Sequence, residues 1–331
     1  MAEVLNNKTE CNTKEVVRRT FYKNRIRKDN IKLEFDKNSH QEERRKLLLK
    51  HQKEKRYEAF DIARGIFEEI YFPEIENKDS MDIEELRSSQ FSYSERPKKF
   101  NRIMLSEWML NVPQDFSENW IMVPCPIGKR TRIISRQGIT KAYSRSGVLC
   151  DIFPSALPGG NCDADMRDSA IVDCIWIENQ QIYYILDVLY WCRLPFTFCE
   201  AQFRLYWINN KIREIKEFKE CDTNTNKYPI LSLQNINCNA DLSCALTQLD
   251  LELKSIDGFL FYHCNAHYYF GYTPLVTWLK SFMLPEVLGI FVPSPLDEKP
   301  DNYINFEHYM QQYKEKRGQK KKEYLLRKSN G

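Results

Sequence analysis

Six runs between residues 119 and 262 limit what this chain can fold into: "NWIMVP", "TRIISR", "AIVDCIWI", "QIYYILDVLYWC", "FRLYWI" and "GFLFY". Each is short, dense in β-branched and aromatic side chains, and bounded by Pro, Gly or Asn, which is the pattern of strands separated by turns. Short helices are predicted at "MLSEWMLN" and near "PLVTWLK". The expected class is α+β with strands dominating. At 331 residues, 42% hydrophobic and 13% aromatic, the chain can build one large core and an accessory segment.

Charge divides the chain by region. Residues 14–64 carry 17 Lys and Arg against 9 Asp and Glu, residues 311–331 carry 8 against 2, and residues 65–310 are left with a net charge of −10. A sequence-independent nucleic-acid binder spreads positive charge over its folded domain, because neutralising phosphates dominates that affinity. This acidic middle argues against a grip on DNA or on long RNA. The basic stretch "HQEERRKLLLKHQKEKRYEAFDIARGIFEE" reads as a helix with a narrow apolar face, and its concentrated cations suit docking on an acidic partner. The expected organisation is a disordered N-terminus over 1–13, a basic helical segment over 14–65, a polar linker over 66–97, a folded domain over 98–300 and a basic tail over 301–331 that forms a frayed helix.

No run approaches the roughly 18 apolar residues of a membrane span, and the first residues lack the apolar centre of a signal peptide. The expectation is a cytosolic or nuclear protein whose scattered cysteines are thiols, most of them small buried apolar residues. His263 and His267 sit in β-prone surroundings where their spacing makes a poor zinc site, so no metal or cofactor is expected.

The segment "CPIGKR", Cys125 to Arg130, carries chemistry of its own. It resembles the K-x-D-G-x-R motif of covalent nucleotidyltransferases, with "YYILDVLYW", "IDGFLFY" and "LVTWLK" following in that family's order. The resemblance implies an RNA guanylyltransferase-like core. Cys125 occupies the lysine slot and Ile127 replaces the aspartate, and a thiol cannot form the phosphoramide intermediate. No catalytic residue is therefore expected, and what survives is a guanine-nucleotide cleft with Lys129 and Arg130 available for phosphates. The enzyme alternative is a divergent guanylyltransferase using Lys129 or Lys141.

The motifs "MLSEWMLNVP", "CPIGKRTRII", "KAYSRSG", "PSALPGGN", "FRLYWI", "DGFLFYH" and "YTPLVTWLKSFM" are similar to those of the snurportin family, import adaptors for spliceosomal small nuclear ribonucleoproteins, over about residues 98 to 298. The resemblance implies binding of the trimethylguanosine cap of small nuclear RNA. It implies that Trp278 stacks on the base and that Trp108 lies against the dimethylated amine. Ser106 would sit beside the base with Leu105 next to it, Cys125 and Arg130 would lie along the nucleotide, and Lys129 and Arg145 would serve phosphates. Arg145 stands where the family has lysine, which keeps the charge and changes the geometry. A trimethylated guanine is cationic and rewards aromatic faces, each worth about 1 to 3 kcal/mol. The basic helix resembles the family's importin-β-binding domain, with Arg44, Arg45, Lys46, Lys53, Lys55 and Arg56 as candidate contacts for an importin-β-class receptor. An exportin partner and shuttling between nucleus and cytoplasm are implied by resemblance alone.

Overall fold

A computed structural model describes residues 40–63, 103–192 and 194–329, in two compact units, residues 1–92 and residues 93–331. In the first unit, helix α1 (Gln41–Ala63) buries Gln41, Arg45, Leu48 and Gln52, one stripe at helical spacing. The expected linker lies outside the described residues.

The second unit is strand-rich α+β, as expected. It contains β1 (Met104–Trp108), α2 (Phe116–Asn119), β2 (Trp120–Pro126), β3 (Lys129–Arg136), β4 (Ile139–Ser144), β5 (Leu149–Phe153), β6 (Ser169–Ile177), β7 (Ile182–Trp191) and β8 (Leu194–Pro195). These are followed by α3 (Ala201–Glu214), β9 (Ile230–Ser232), β10 (Ile236–Asn237), α4 (Leu242–Thr247), β11 (Ile256–His263), β12 (Gly271–Lys280), α5 (Leu284–Leu288) and α6 (Phe306–Ser329). A five-stranded sheet runs β1-β12-β11-β2-β10, and a seven-stranded sheet runs β5-β4-β3-β6-β7-β8 with β9 beside β7. β1 is parallel to β12, and β9 is parallel to β7. The chain crosses from the first sheet to the second through Ile127 and Gly128, inside "CPIGKR". A Cβ on Gly128 would come within 2.5 Å of the Ile175 side chain and 2.6 Å of the Trp176 carbonyl oxygen, so only glycine passes there.

Each sheet has its own core. Phe259, Phe261 and Leu279 of the first sheet pack with Met283, Leu284, Phe306 and Met310. Val172, Cys174, Ile185 and Val188 of the second pack with Ile208 and Ile212 of α3. Leu186 and Leu189, which belong to neither core cluster, are also buried. β7 therefore loses solvent on both faces, the physical reason its run is continuously apolar.

Three expectations of local structure are corrected. "FRLYWI" is not a strand: it lies in α3, whose Ala201, Leu205, Ile208 and Ile212 are buried while Phe203 and Tyr206 are exposed, a helical period that a six-residue window of aromatics conceals. "MLSEWMLN" and "PLVTWLK" are not helices. They supply β1 and β12, which pair with each other, so a partner over 160 residues away overrides local preference. The basic tail, expected to form a helix, is helical over Phe306–Ser329, and its first turns belong to the core through Phe306 and Met310. All ten described cysteines are free thiols, but only Cys125, Cys174, Cys238 and Cys264 are buried.

Candidate functional site

The pairing of β1 with β12 builds an aromatic edge. In register, Leu105 faces Tyr272, Ser106 faces Thr273, and Trp108 faces Trp278, with an irregularity between Ser106 and Glu107 where β12 carries extra residues. Alternation along β12 sends Thr277 and Leu279 to the core side with Phe261 and Phe259, and turns Trp278 to the opposite face with Leu260 and Gly258. The Trp278 ring lies over Gly258: a Cβ there would stand 2.7 Å from Trp278 Cζ2. The glycine of the "DG" pair thus makes room for the indole. Trp108 packs edge-on against Tyr309 and Tyr313 of α6, with centroids 5.5 Å away in each case.

Cys125 sits opposite Gly258 on β2, on the Trp278 face. Burial pushes its thiol up to about 12, against a smaller opposing pull from Arg130, so it is a neutral thiol at physiological pH and not a nucleophile. Arg130 donates from Nη2 to the Met104 carbonyl at 3.2 Å, joining β3 to the start of β1. Its Nε is buried without an acceptor; Thr277 Oγ1 is also unpaired, but on the core side of β12. A buried donor left unpaired costs about 1 to 3 kcal/mol, which an incoming anionic or carbonyl oxygen recovers.

Lys129 is not brought to this group. It is adjacent to Arg130 on a strand and so projects from the other face of β3, where Nζ pairs with Glu178 at 2.5 Å, both side chains about 70% exposed. Arg145, exposed between β4 and β5, donates to the Tyr272 hydroxyl at 3.0 Å, so that loop reaches β12. Leu105 and Ser106 are half-buried on β1. The structure therefore ties Arg130 to the start of β1 and Arg145 to Tyr272 of β12, sets Cys125 on the Trp278 face, packs Trp108 with the core of the first sheet and α6, and turns Lys129 to the other face of β3.

Two residues beside these escape the sequence reading. Lys280 lies two positions beyond Trp278, hence on the same face, and its ammonium is paired with Asp257. Tyr272 is the hydroxyl that holds Arg145. The i, i+2 spacing of Trp278 and Lys280 signals a shared face once "LVTWLK" is recognised as a strand. Lys141, the other lysine considered as a nucleophile, lies on β4. Asp187, the acid of "ILDV", is fully engaged: both carboxylate oxygens accept from Arg204, at 2.7 and 2.9 Å. His263 Nε2 lies 3.3 Å from Asp115 Oδ2, and among the described residues no group of His, Cys, Asp and Glu is placed to hold a metal ion.

On α1, Lys46, Lys53 and Lys55 are exposed and Arg44 and Arg56 are half-buried. Arg45 differs from the expectation of a receptor-facing cation: it is buried, and its guanidinium donates to Glu42 at 2.8 Å and Gln41 at 2.9 Å.

A family model described as the Snurportin1 m3G cap-binding domain matches residues 102–281, and one described as Snurportin1 matches residues 30–65. Among solved structures, the ligase domain of M. tuberculosis LigD is similar at 11% identity and a TM-score of 0.37, over 54% of this chain and 58% of that one. A mycobacterial DNA ligase D complexed with ATP and MES matches at 11% identity and 0.36, covering 54% and 59%. Chlorella virus DNA ligase–adenylate matches at 14% identity and 0.37, covering 54% and 67%. The chain thus spans under two thirds of the first two ligase structures.

Proposed function

The chain belongs to the snurportin family, whose members bind the m3G cap and act as importin-β-linked nuclear import adaptors, and from that premise we propose how its residues divide the work. The cap lies on the aromatic edge. Trp278 stacks on the trimethylguanine, whose delocalised positive charge is attracted to the indole face. Trp108 meets the methylated amine, where an apolar ring accepts methyls that a hydrogen-bonding acceptor would reject. Arg130 supplies its unpaired Nε to a nucleotide oxygen, and Arg145 leaves Tyr272 to meet a phosphate. The observation that carries this reading is an indole seated over a glycine, together with a half-buried arginine whose Nε is buried without an acceptor.

The site binds without catalysing. The residue in the nucleophile slot is a protonated thiol, and the two motif acids are neutralised by neighbours, Asp187 by Arg204 and Asp257 by Lys280. The basic segment that includes α1 holds an importin-β-class receptor through Arg44, Lys46, Lys53, Lys55 and Arg56. The chain shuttles between cytoplasm and nucleus, with an exportin returning it.

A bridging assay tests the adaptor. Immobilised trimethylguanosine-capped RNA should recover an importin-β-class receptor only with the intact chain, while a chain lacking residues 14–65 should bind the RNA alone. Equal receptor recovery by both chains contradicts the assignment. Incubation with labelled GTP and magnesium should leave no label on the denatured protein, and covalent retention contradicts the non-catalytic reading.

A further inference from the structure

β1 is the outer strand of its sheet, so one side of its backbone has no neighbouring strand to bond with. Its first residue, Met104, is nevertheless buried, and side chains take both of its main-chain groups. The carbonyl accepts from Arg130 Nη2 at 3.2 Å, and the amide donates to the Tyr268 hydroxyl at 2.8 Å. That hydroxyl also accepts from Arg132 Nη2 at 2.7 Å and donates to Asp173 Oδ2, which fills the one donor and two acceptor positions of a hydroxyl. Arg132 Nε closes the group on the other oxygen of Asp173, at 2.9 Å. The loop that carries Tyr268 is itself fixed: the Tyr268 amide donates to the Thr197 carbonyl at 3.0 Å, and Arg204 Nη1 donates to the Ala266 carbonyl at 2.9 Å.

We propose that Tyr268 is a positioning residue of the cap edge, whose hydroxyl fastens the start of β1 to the buried Arg132–Asp173 pair so that Arg130 and Ser106 stand in place before the ligand arrives. The inference rests on the cap reading above and adds to it a residue that acts through its neighbours. β1 has only five residues, and a short strand at a sheet edge frays unless its end is held. Tyr268 and Arg130 hold opposite ends of one peptide residue, so a strand that shifts on losing the hydroxyl also moves the carbonyl that orients the guanidinium. Strand alternation turns the main-chain groups of Ser106, two positions on, to the same outer side as those of Met104. A binding constellation tolerates displacements of only about 0.5 Å, so loosening Met104 weakens both contacts at once.

The test uses the full chain, Tyr268→Phe, Arg130→Met, the two changes together, and Tyr228→Phe, which deletes a hydroxyl bonded to Asp151 at 3.0 Å in the core of the second sheet. A trimethylguanosine cap dinucleotide is titrated under conditions where circular dichroism shows each protein folded. Tyr268→Phe should bind about tenfold more weakly than the intact chain, and Tyr228→Phe within about twofold of it. In the double variant the two losses should fall short of multiplying, because both act through Met104. Amide exchange reads the strand itself. The Met104 amide should be protected in the intact chain and, relative to the Phe259 amide of β11, should exchange at least about tenfold faster in Tyr268→Phe. A folded Tyr268→Phe with the affinity of the intact chain would overturn the proposal and leave Tyr268 a member of the buried network only. So would losses that multiply in the double variant. A Met104 amide unprotected in the intact chain would also overturn it, a result that needs no variant to fold. Failure of the intact chain to bind the dinucleotide would bring down the cap reading and the proposal with it.

Discussion

Among the described residues of the two-sheet unit three guanidinium groups are buried or half-buried, and they are treated differently in two regions. Behind the seven-stranded sheet, Arg204 spends its donors on Asp187 and on the carbonyls of Cys199 and Ala266, and Arg132 spends its own on Asp173 and Tyr268. At the start of β1, Arg130 reaches a single carbonyl and keeps a buried Nε without a partner. A closed network stabilises the fold, because a buried charge must be matched inside the protein. An open one at a sheet edge is a place for something else to complete. Cys125, likewise buried, is an uncharged group that packs.

The largest expected effect breaks the closed side. Arg204→Met leaves Asp187 buried and unpaired and should destabilise the protein by about 3 to 5 kcal/mol in chemical denaturation. A loss under about 1 kcal/mol would show that Asp187 finds solvent, and the contrast would fail. Next is the open side. Arg130→Met removes an unsatisfied donor together with the bond to the Met104 carbonyl, so folding stability should fall by less than in Arg204→Met, about 1 to 2 kcal/mol, while cap-dinucleotide affinity falls by about 1.5 to 3 kcal/mol, the worth of a charged hydrogen bond. Loss of stability with unchanged affinity would reclassify Arg130 with Arg204. The smallest effect belongs to Lys129. Its pair with Glu178 is exposed and on the far face, so Lys129→Ala should move stability and cap affinity by no more than about 0.5 kcal/mol each. A tenfold loss of affinity would place it at the ligand.

The sequence and the structure agree where burial is two-sided and disagree where pairing is long-range. β6 and β7 announce themselves as continuous apolar runs because both faces are covered. β1 does not, since it has five residues and becomes a strand by pairing with β12, more than 160 residues away, while β12 is held by β11 as well as by β1. The opposed faces of Lys129 and Arg130 follow from strand alternation alone once the strand is known to begin at Lys129. Trp108 and Trp278 as a pair came from resemblance to a family, because six tryptophans in an aromatic-rich chain carry no mark distinguishing ligand contact from core. The engagement of Asp187 by Arg204 and the orphaned Nε of Arg130 are properties of packing, which no local pattern encodes. Nor does any pattern reveal that Trp108 is braced by Tyr309 and Tyr313 of a segment that reads as a tail.

The central claim, that the β1–β12 edge reads a trimethylated cap, is tested most directly by tryptophan quenching with trimethyl and monomethyl cap dinucleotides. The intact chain should bind the trimethyl form more tightly. Trp278→Ala should weaken its binding by about 1 to 3 kcal/mol, and Trp108→Ala should narrow the ratio between the two caps. Equal affinity of the intact chain for both dinucleotides, or a ratio untouched by Trp108→Ala in a folded protein, would contradict the account.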